Sequence, residues 1–139
     1  MSSDLTWLLV RSNSSFIVKK RAPDVILSRE PGNLLNIHAQ ALSPLANDKS
    51  IGVDAHENGV AIVTRDATKN PRGVAKSMKT VNLKRGTSAR KAASIASNAA
   101  SKTRPDLRSA AVARATTLVK NTKAPKAPKS NRRSKKASA

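Results

Sequence analysis

Two short apolar runs open the chain, residues 5–10 with Leu5, Trp7, Leu8, Leu9 and Val10, and residues 16–20 with Phe16, Ile17 and Val18. Arg11-Ser12-Asn13-Ser14-Ser15 between them has a loop-forming composition, so the pattern predicts two strands and a connecting turn. A third short strand is expected over 25–28, ended by Glu30-Pro31-Gly32-Asn33. Residues 34–50 fit either a helix, by their Leu, Ile and Ala spacing, or a loop, because Pro44 interrupts it. The clearest hairpin joins 51–54 to 60–64, since Asn58-Gly59 supplies residues that tolerate the positive φ of a tight turn. Residues 68–73 read as loop, and 75–83 as a final strand or an extended arm.

Beyond residue 86 the period changes. Thr87 or Ser88 can cap a helix running to about residue 101, with Ala92, Ile95, Ala96 and Ala99 along one face. Thr103 is placed to cap a second helix, with Arg104-Pro105 in its first turn, where the missing proline N–H costs nothing. On that helix Leu107, Ala111 and Leu118 share a face, and Arg104 and Arg108 form a neighbouring basic stripe. Apart from Pro125 and Pro128, residues 122–139 carry no apolar side chain larger than alanine, so this segment has nothing to offset its ordering entropy when free.

Charge sharpens this division. The 139 residues hold 27 Lys and Arg against 8 Asp and Glu, a net charge of +19. Residues 1–70 contain eight basic and seven acidic residues, whereas 71–139 contain nineteen basic residues and only Asp106. The first part is therefore near neutral, with apolar residues enough for a small core, and the second is a polycation that should not fold alone. The expected class is α+β: a strand- and hairpin-rich head over 1–83, a basic two-helix arm over 84–121, and a basic tail over 122–139. Trp7 and Phe16 are expected to fill the head's core.

Few chemistries survive the composition. The chain has no Cys and no Tyr, which excludes disulfides, thiolate catalysis and cysteine zinc sites. Its single Trp and single Phe are too few for serial base stacking. No apolar run approaches the ~20 residues of a membrane span, and no secretory leader is recognisable, so a soluble intracellular protein is expected. His38 and His56 are far apart, and Asp54-Ala55-His56-Glu57 reads as polar turn residues in water rather than as metal ligands. Gly86-Thr87-Ser88 lacks the phosphate-loop lysine spacing, and no carboxylate pair has an apolar frame. No catalytic residue, metal site, cofactor, small-molecule substrate, membrane or self-association is expected.

The basic clusters point instead to a polyanion. Lys84, Arg85, Arg90, Lys91, Arg104, Arg108, Arg114 and Lys120 punctuate the helical region, and Lys126, Lys129, Arg132, Arg133, Lys135 and Lys136 the tail. Twelve of the 27 basic residues are Arg, the side chain that pairs with phosphate in bidentate fashion. An import signal alone needs only a short basic run, so these fourteen are the candidate nucleic-acid-binding residues. Ribosomal and chromatin architectural proteins both combine a small head with a basic tail. Lys-Ala-Pro-Lys-Ala-Pro-Lys resembles a linker-histone tail, but the strand-rich head and the arginine content favour the ribosome.

Two stretches carry a closer resemblance. Leu5-Thr6-Trp7-Leu8-Leu9-Val10-Arg11 with Ser14-Ser15-Phe16-Ile17-Val18-Lys19-Lys20, and Arg104-Pro105-Asp106-Leu107-Arg108 with Ala110-Ala111 and Arg114-Ala115, resemble the family of ribosomal protein twenty-eight of the eukaryotic large subunit. Glu30-Pro31-Gly32-Asn33-Leu34 and Ile51-Gly52-Val53 fall at matching places between them, so the resemblance covers most of 4–120. The segment 38–48 departs from it, lacking the aromatic and basic residues common there. The resemblance implies a structural constituent of the large subunit, cytoplasmic after nuclear and nucleolar assembly. Its implied partners are ribosomal RNA and neighbouring large-subunit proteins; a chromatin-associated DNA-binding protein is the alternative.

Overall fold

The structure, a computed structural model, describes residues 2–19, 25–57, 59–68 and 73–122. Its order is α1 (Ser3–Val10), β1 (Ile17–Lys19), β2 (Ile26–Ser28), a 3-10 turn (Gln40–Leu42), β3 (Lys49–His56), β4 (Gly59–Asp66), α2 (Val74–Ser77), β5 (Met78–Lys84), α3 (Ala89–Thr103), a second 3-10 turn (Pro105–Leu107) and α4 (Arg108–Asn121). The class is α+β. β1 and β2 form one antiparallel pair, and β3, β4 and β5 form an antiparallel meander with β4 in the centre.

The meander follows from strict alternation. Ile51 and Val53 on β3, Val60 and Ile62 on β4 and Leu83 on β5 are buried on one face, where Val53 pairs with Ile62 and Val60 with Leu83. α3 and α4 lie on that face. α3 buries Ala92, Ala96 and Ala100, and α4 buries Ala111, Ala115 and Val119, each set spaced by four residues. Alanine at every close approach lets the two helices pack tightly against each other and against the sheet, so one core runs through strands and helices alike. The helices expected as an arm thus share the head's core across residue 84. Ile95, Leu107 and Leu118 border this core half-buried rather than forming its centre.

Two glycines are required by contacts. Gly59 opens β4 with φ 144°, and a Cβ there would fall 1.9 Å from the Leu83 carbonyl oxygen. A Cβ on Gly52 would fall 2.6 Å from the Gly32 Cα, so the Pro31-Gly32 loop can lie directly on the sheet's second face.

Three expectations are corrected here. Residues 5–10 form helix α1, not a strand, because the Ser2 hydroxyl accepts from the Leu5 N–H (3.3 Å) as an N-cap and Asp4 sits in the first turn. Trp7 and Phe16 lie outside the core: Trp7 tilts against the His38 ring with centroids 4.8 Å apart, and Phe16 is 39 % exposed. Thr103 caps nothing; it is the last residue of α3, its hydroxyl donates to the Ala99 carbonyl (2.5 Å), and Arg104 at φ −140° breaks the helix. Of the two alternatives for residues 34–50 the loop is the one realised: they are irregular apart from the Gln40–Leu42 turn and the start of β3 at Lys49. Buried polar groups hold this loop: the Glu30 carboxylate accepts from the Ser43 hydroxyl and the Leu45 N–H, both at 3.1 Å. The Asn33 side chain bonds three backbone groups between Leu35 and Ile37.

Most of the remaining elements agree with the pattern. β1 and β2 lie within the expected segments, and β3–β4 is the expected hairpin. β5 realises the strand alternative for 75–83 only from Met78 onward, residues 75–77 being helical in α2 instead, and Ser88 caps α3 by accepting from Lys91 N–H at 3.3 Å.

Candidate nucleic-acid interface

The cations divide by where the fold turns them. α3 and α4 are joined by only four residues, 104–107, so the start of α3 lies beside the end of α4. The Arg85 Nε donates to the Thr122 carbonyl (3.3 Å), fixing that juxtaposition. Lys84 and Arg85 at the end of β5, Arg90 and Lys91 in the first turn of α3, and Lys120 in the last turn of α4 therefore collect at one end of the helix pair. All five are exposed. None of them forms an ion pair with another described residue.

This end is locally well built. Gly86 at φ 92° allows the turn between β5 and α3, and Thr87 closes it by donating from its hydroxyl to the Lys84 carbonyl (2.6 Å). Thr122, the last residue described in this part of the chain, is at the same end. Chain connectivity then starts the basic tail here, while Lys126, Lys129, Arg132, Arg133, Lys135 and Lys136 themselves lie outside the described residues.

Two of the fourteen candidates point inward. The Arg114 guanidinium donates to the Val53 carbonyl (2.7 Å), the Leu34 carbonyl (3.0 Å) and the Asn36 side chain (3.3 Å), with Asp54 at 3.4 Å. Arg104 donates to the Lys49 carbonyl (3.2 Å) and the Ala41 carbonyl (2.9 Å), and pairs with Asp106 at 2.6 Å. The hydrogen bond from Arg104 holds the Asp106 carboxyl below the usual carboxylate range, against a smaller opposing effect of burial, and raises the guanidinium in turn. Arg108 lies between these cases: it is exposed on the outer surface of the helix pair, its Nε donating to the Ser97 hydroxyl (2.7 Å). Asp54, read from sequence as a turn residue in water, faces Arg114 instead.

Sequence reasoning missed one group of cations. Lys76 on α2, Lys79 on β5 and Lys102 on α3 line a common groove, yet no two of them form a basic run along the chain. Their only signal is parity: Lys79 stands two residues before Val81 on the helix-facing side of β5. Among the described residues, no group of His, Asp and Glu is arranged to hold a metal ion. No described helix is long and apolar enough to cross a membrane.

Comparison with known proteins gives the arrangement a context. The sequence matches the Ribosomal L28e protein family over residues 5–121. It is 35 % identical over 114 residues to the large ribosomal subunit protein eL28 of Dictyostelium discoideum, covering 82 % of this chain and 83 % of that one. It is 38 % identical over 78 residues to the protein of the same name from Schizosaccharomyces pombe, covering 55 % of this chain and 58 % of the relative. The match to the Caenorhabditis elegans protein of that name is 34 % over 71 residues, or 51 % of this chain and 56 % of the relative. The chain thus spans less than two thirds of the fission-yeast and nematode relatives.

Proposed function

The chain belongs to the ribosomal L28e protein family, and from that premise we propose that it is a structural constituent of the large ribosomal subunit, without catalytic function, that binds ribosomal RNA. Its cations neutralise phosphates where RNA segments approach one another, which stabilises their packing and assembly. Neighbouring large-subunit proteins complete its surroundings. Its working location is the cytoplasmic ribosome, reached after nuclear and nucleolar assembly.

The observation that carries this reading is the convergence of Lys84, Arg85, Arg90, Lys91 and Lys120 at one exposed end of the helix pair, at the point from which the basic tail continues. Five exposed cations gathered at one end, with a further basic run continuing in sequence, suit a polyanionic partner. Contacts of this kind position the protein on the sugar–phosphate backbone, and RNA shape supplies the selectivity. If six to ten phosphates are engaged, affinity for naked RNA falls roughly 10³–10⁵-fold between about 50 and 200 mM salt.

Sedimentation of a gently lysed extract at moderate salt tests the assignment. The protein is expected with large subunits and polysomes, in a form that survives DNase and is lost on RNase digestion. Sedimentation with nuclease-released nucleosomes, and absence from the subunit peaks, would replace the ribosome by chromatin.

A further inference from the structure

The sheet, α2 and the end of α3 enclose a groove remote from the cationic end. Its volume is about 450 Å³, within the range of roughly 300–1,000 Å³ typical of sites for small organic groups. Val81, Ile95 and Ala99 make an apolar floor above the fully buried Ile62. Lys76, Lys79 and Lys102 line the same groove from three different elements, all three exposed. None of the three has a hydrogen-bond or ion-pair partner among the described residues. Asp66 also lines the groove, at the end of β4, and accepts from the Thr68 hydroxyl (2.5 Å).

An apolar floor beneath free ammonium groups suits a ligand with a flat, weakly polar body and a charged backbone. A double-stranded helix offers only its outer phosphates and cannot lower a base into a concave site. An unstacked nucleotide offers both parts, its base over the floor and its flanking phosphates on the lysines.

We propose that this groove is a second RNA contact, which receives a single-stranded or bulged stretch with the base on Val81, Ile95 and Ala99 and the phosphates on Lys76, Lys79 and Lys102. The proposal rests on the ribosomal role above and adds the class of RNA this site takes: unpaired, where the helix end accepts phosphates of any RNA form.

Fluorescence anisotropy with the full-length chain tests it, using a short oligouridylate and an RNA duplex of equal charge as probes. The variant K76Q/K79Q/K102Q is expected to lose affinity for oligouridylate and to lower the magnitude of its salt slope by about 2, the value for three single-strand phosphate contacts. Its duplex binding is expected to stay near wild type, whereas R85Q/R90Q/K91Q is expected to weaken both probes. A 4-thiouridine in the same oligouridylate should crosslink within residues 76–81 or 95–103. An unchanged slope for oligouridylate, equal losses on both probes, or crosslinks confined to 84–91 would each overturn the groove while leaving the helix end intact. Failure of the wild-type chain to bind either probe at low salt would remove the wider RNA-binding role and the groove together.

Discussion

The Arg114 guanidinium donates to the Val53 carbonyl oxygen at 2.7 Å, across 61 residues of sequence. The Asp48 carbonyl accepts from the Ala67 N–H, so carbonyls at even positions of β3 face β4 and those of Lys49 and Val53 face away. Arg104 takes the first of these outward carbonyls and Arg114 the second. An outer strand leaves a row of such groups open to association with other chains. Here two arginines, one at the junction of the helices and one in the middle of α4, cover part of that row and fasten the helix pair to the sheet.

Arg114→Ala should therefore act on stability. It strands the Val53 and Leu34 carbonyls in a partly buried setting, and a loss of about 2–3 kcal/mol is expected from hydrogen bonds to a charged donor. Arg114→Lys should recover only part, because a single ammonium cannot serve several divergent acceptors. Urea unfolding of the full chain measures both. A change below ~0.5 kcal/mol for the alanine variant would mean that the clasp carries no stability.

The alanine seam gives a second test. Ala96 is fully buried on α3, facing α4 and the sheet. Leucine there adds three carbon atoms where no space exists, with an expected cost of about 1–3 kcal/mol. Ser94→Leu, on the exposed side of the same helix, should change the urea midpoint little. Equal midpoints for the two leucine variants would mean that the helices do not pack through this seam.

Much of the sheet and of α3 was legible because period and turn chemistry agreed there: alternating Ile51, Val53, Val60 and Ile62 around Gly59, and Ser88 ahead of an alanine-rich run. α1 was misread because six apolar-rich residues fit either period, and the deciding signal, Ser2 as N-cap with Asp4 in the first turn, lies outside the apolar run. The basic clusters were legible as charge but not as geometry. Arg104 and Arg114 look like any other cation in sequence, and only β3's outward carbonyls show why they turn inward. Lys76, Lys79 and Lys102 come from three elements, so no window along the chain could have grouped them.

Asp106 gives a pH-dependent expectation. Its folded pKa lies below the ordinary 3.8 because it accepts from Arg104. Its contribution is therefore complete above the unfolded value and disappears as pH falls through the lower folded value. Arg104 stays protonated throughout. The difference in urea midpoint between wild type and Asp106→Asn should hold constant from neutral pH down to about 5, then shrink below 3.8. Asp106 is largely exposed, so the difference should be small and should weaken with added salt. A difference that grows on acidification would contradict the pairing.

The two classes of cation should separate cleanly when binding and stability are measured on the same variants. Arg90 and Lys91 are exposed in the first turn of α3 and make no side-chain hydrogen bond or ion pair within the described residues, so Arg90→Ala with Lys91→Ala should leave the urea midpoint nearly unchanged. The same change should reduce the magnitude of the salt slope for duplex RNA by about 2, close to one unit for each phosphate that the variant no longer neutralises. Arg104→Ala should do the reverse. It frees the Lys49 and Ala41 carbonyls and leaves Asp106 without its partner, so the midpoint falls while the slope for the folded fraction stays at the wild-type value. Incorporation into large subunits should then drop for both variants, by weakened RNA binding in the first and by depletion of folded protein in the second. A lowered slope for Arg104→Ala with an unchanged midpoint would return that arginine to the RNA-facing surface and undo its assignment to the β3 edge.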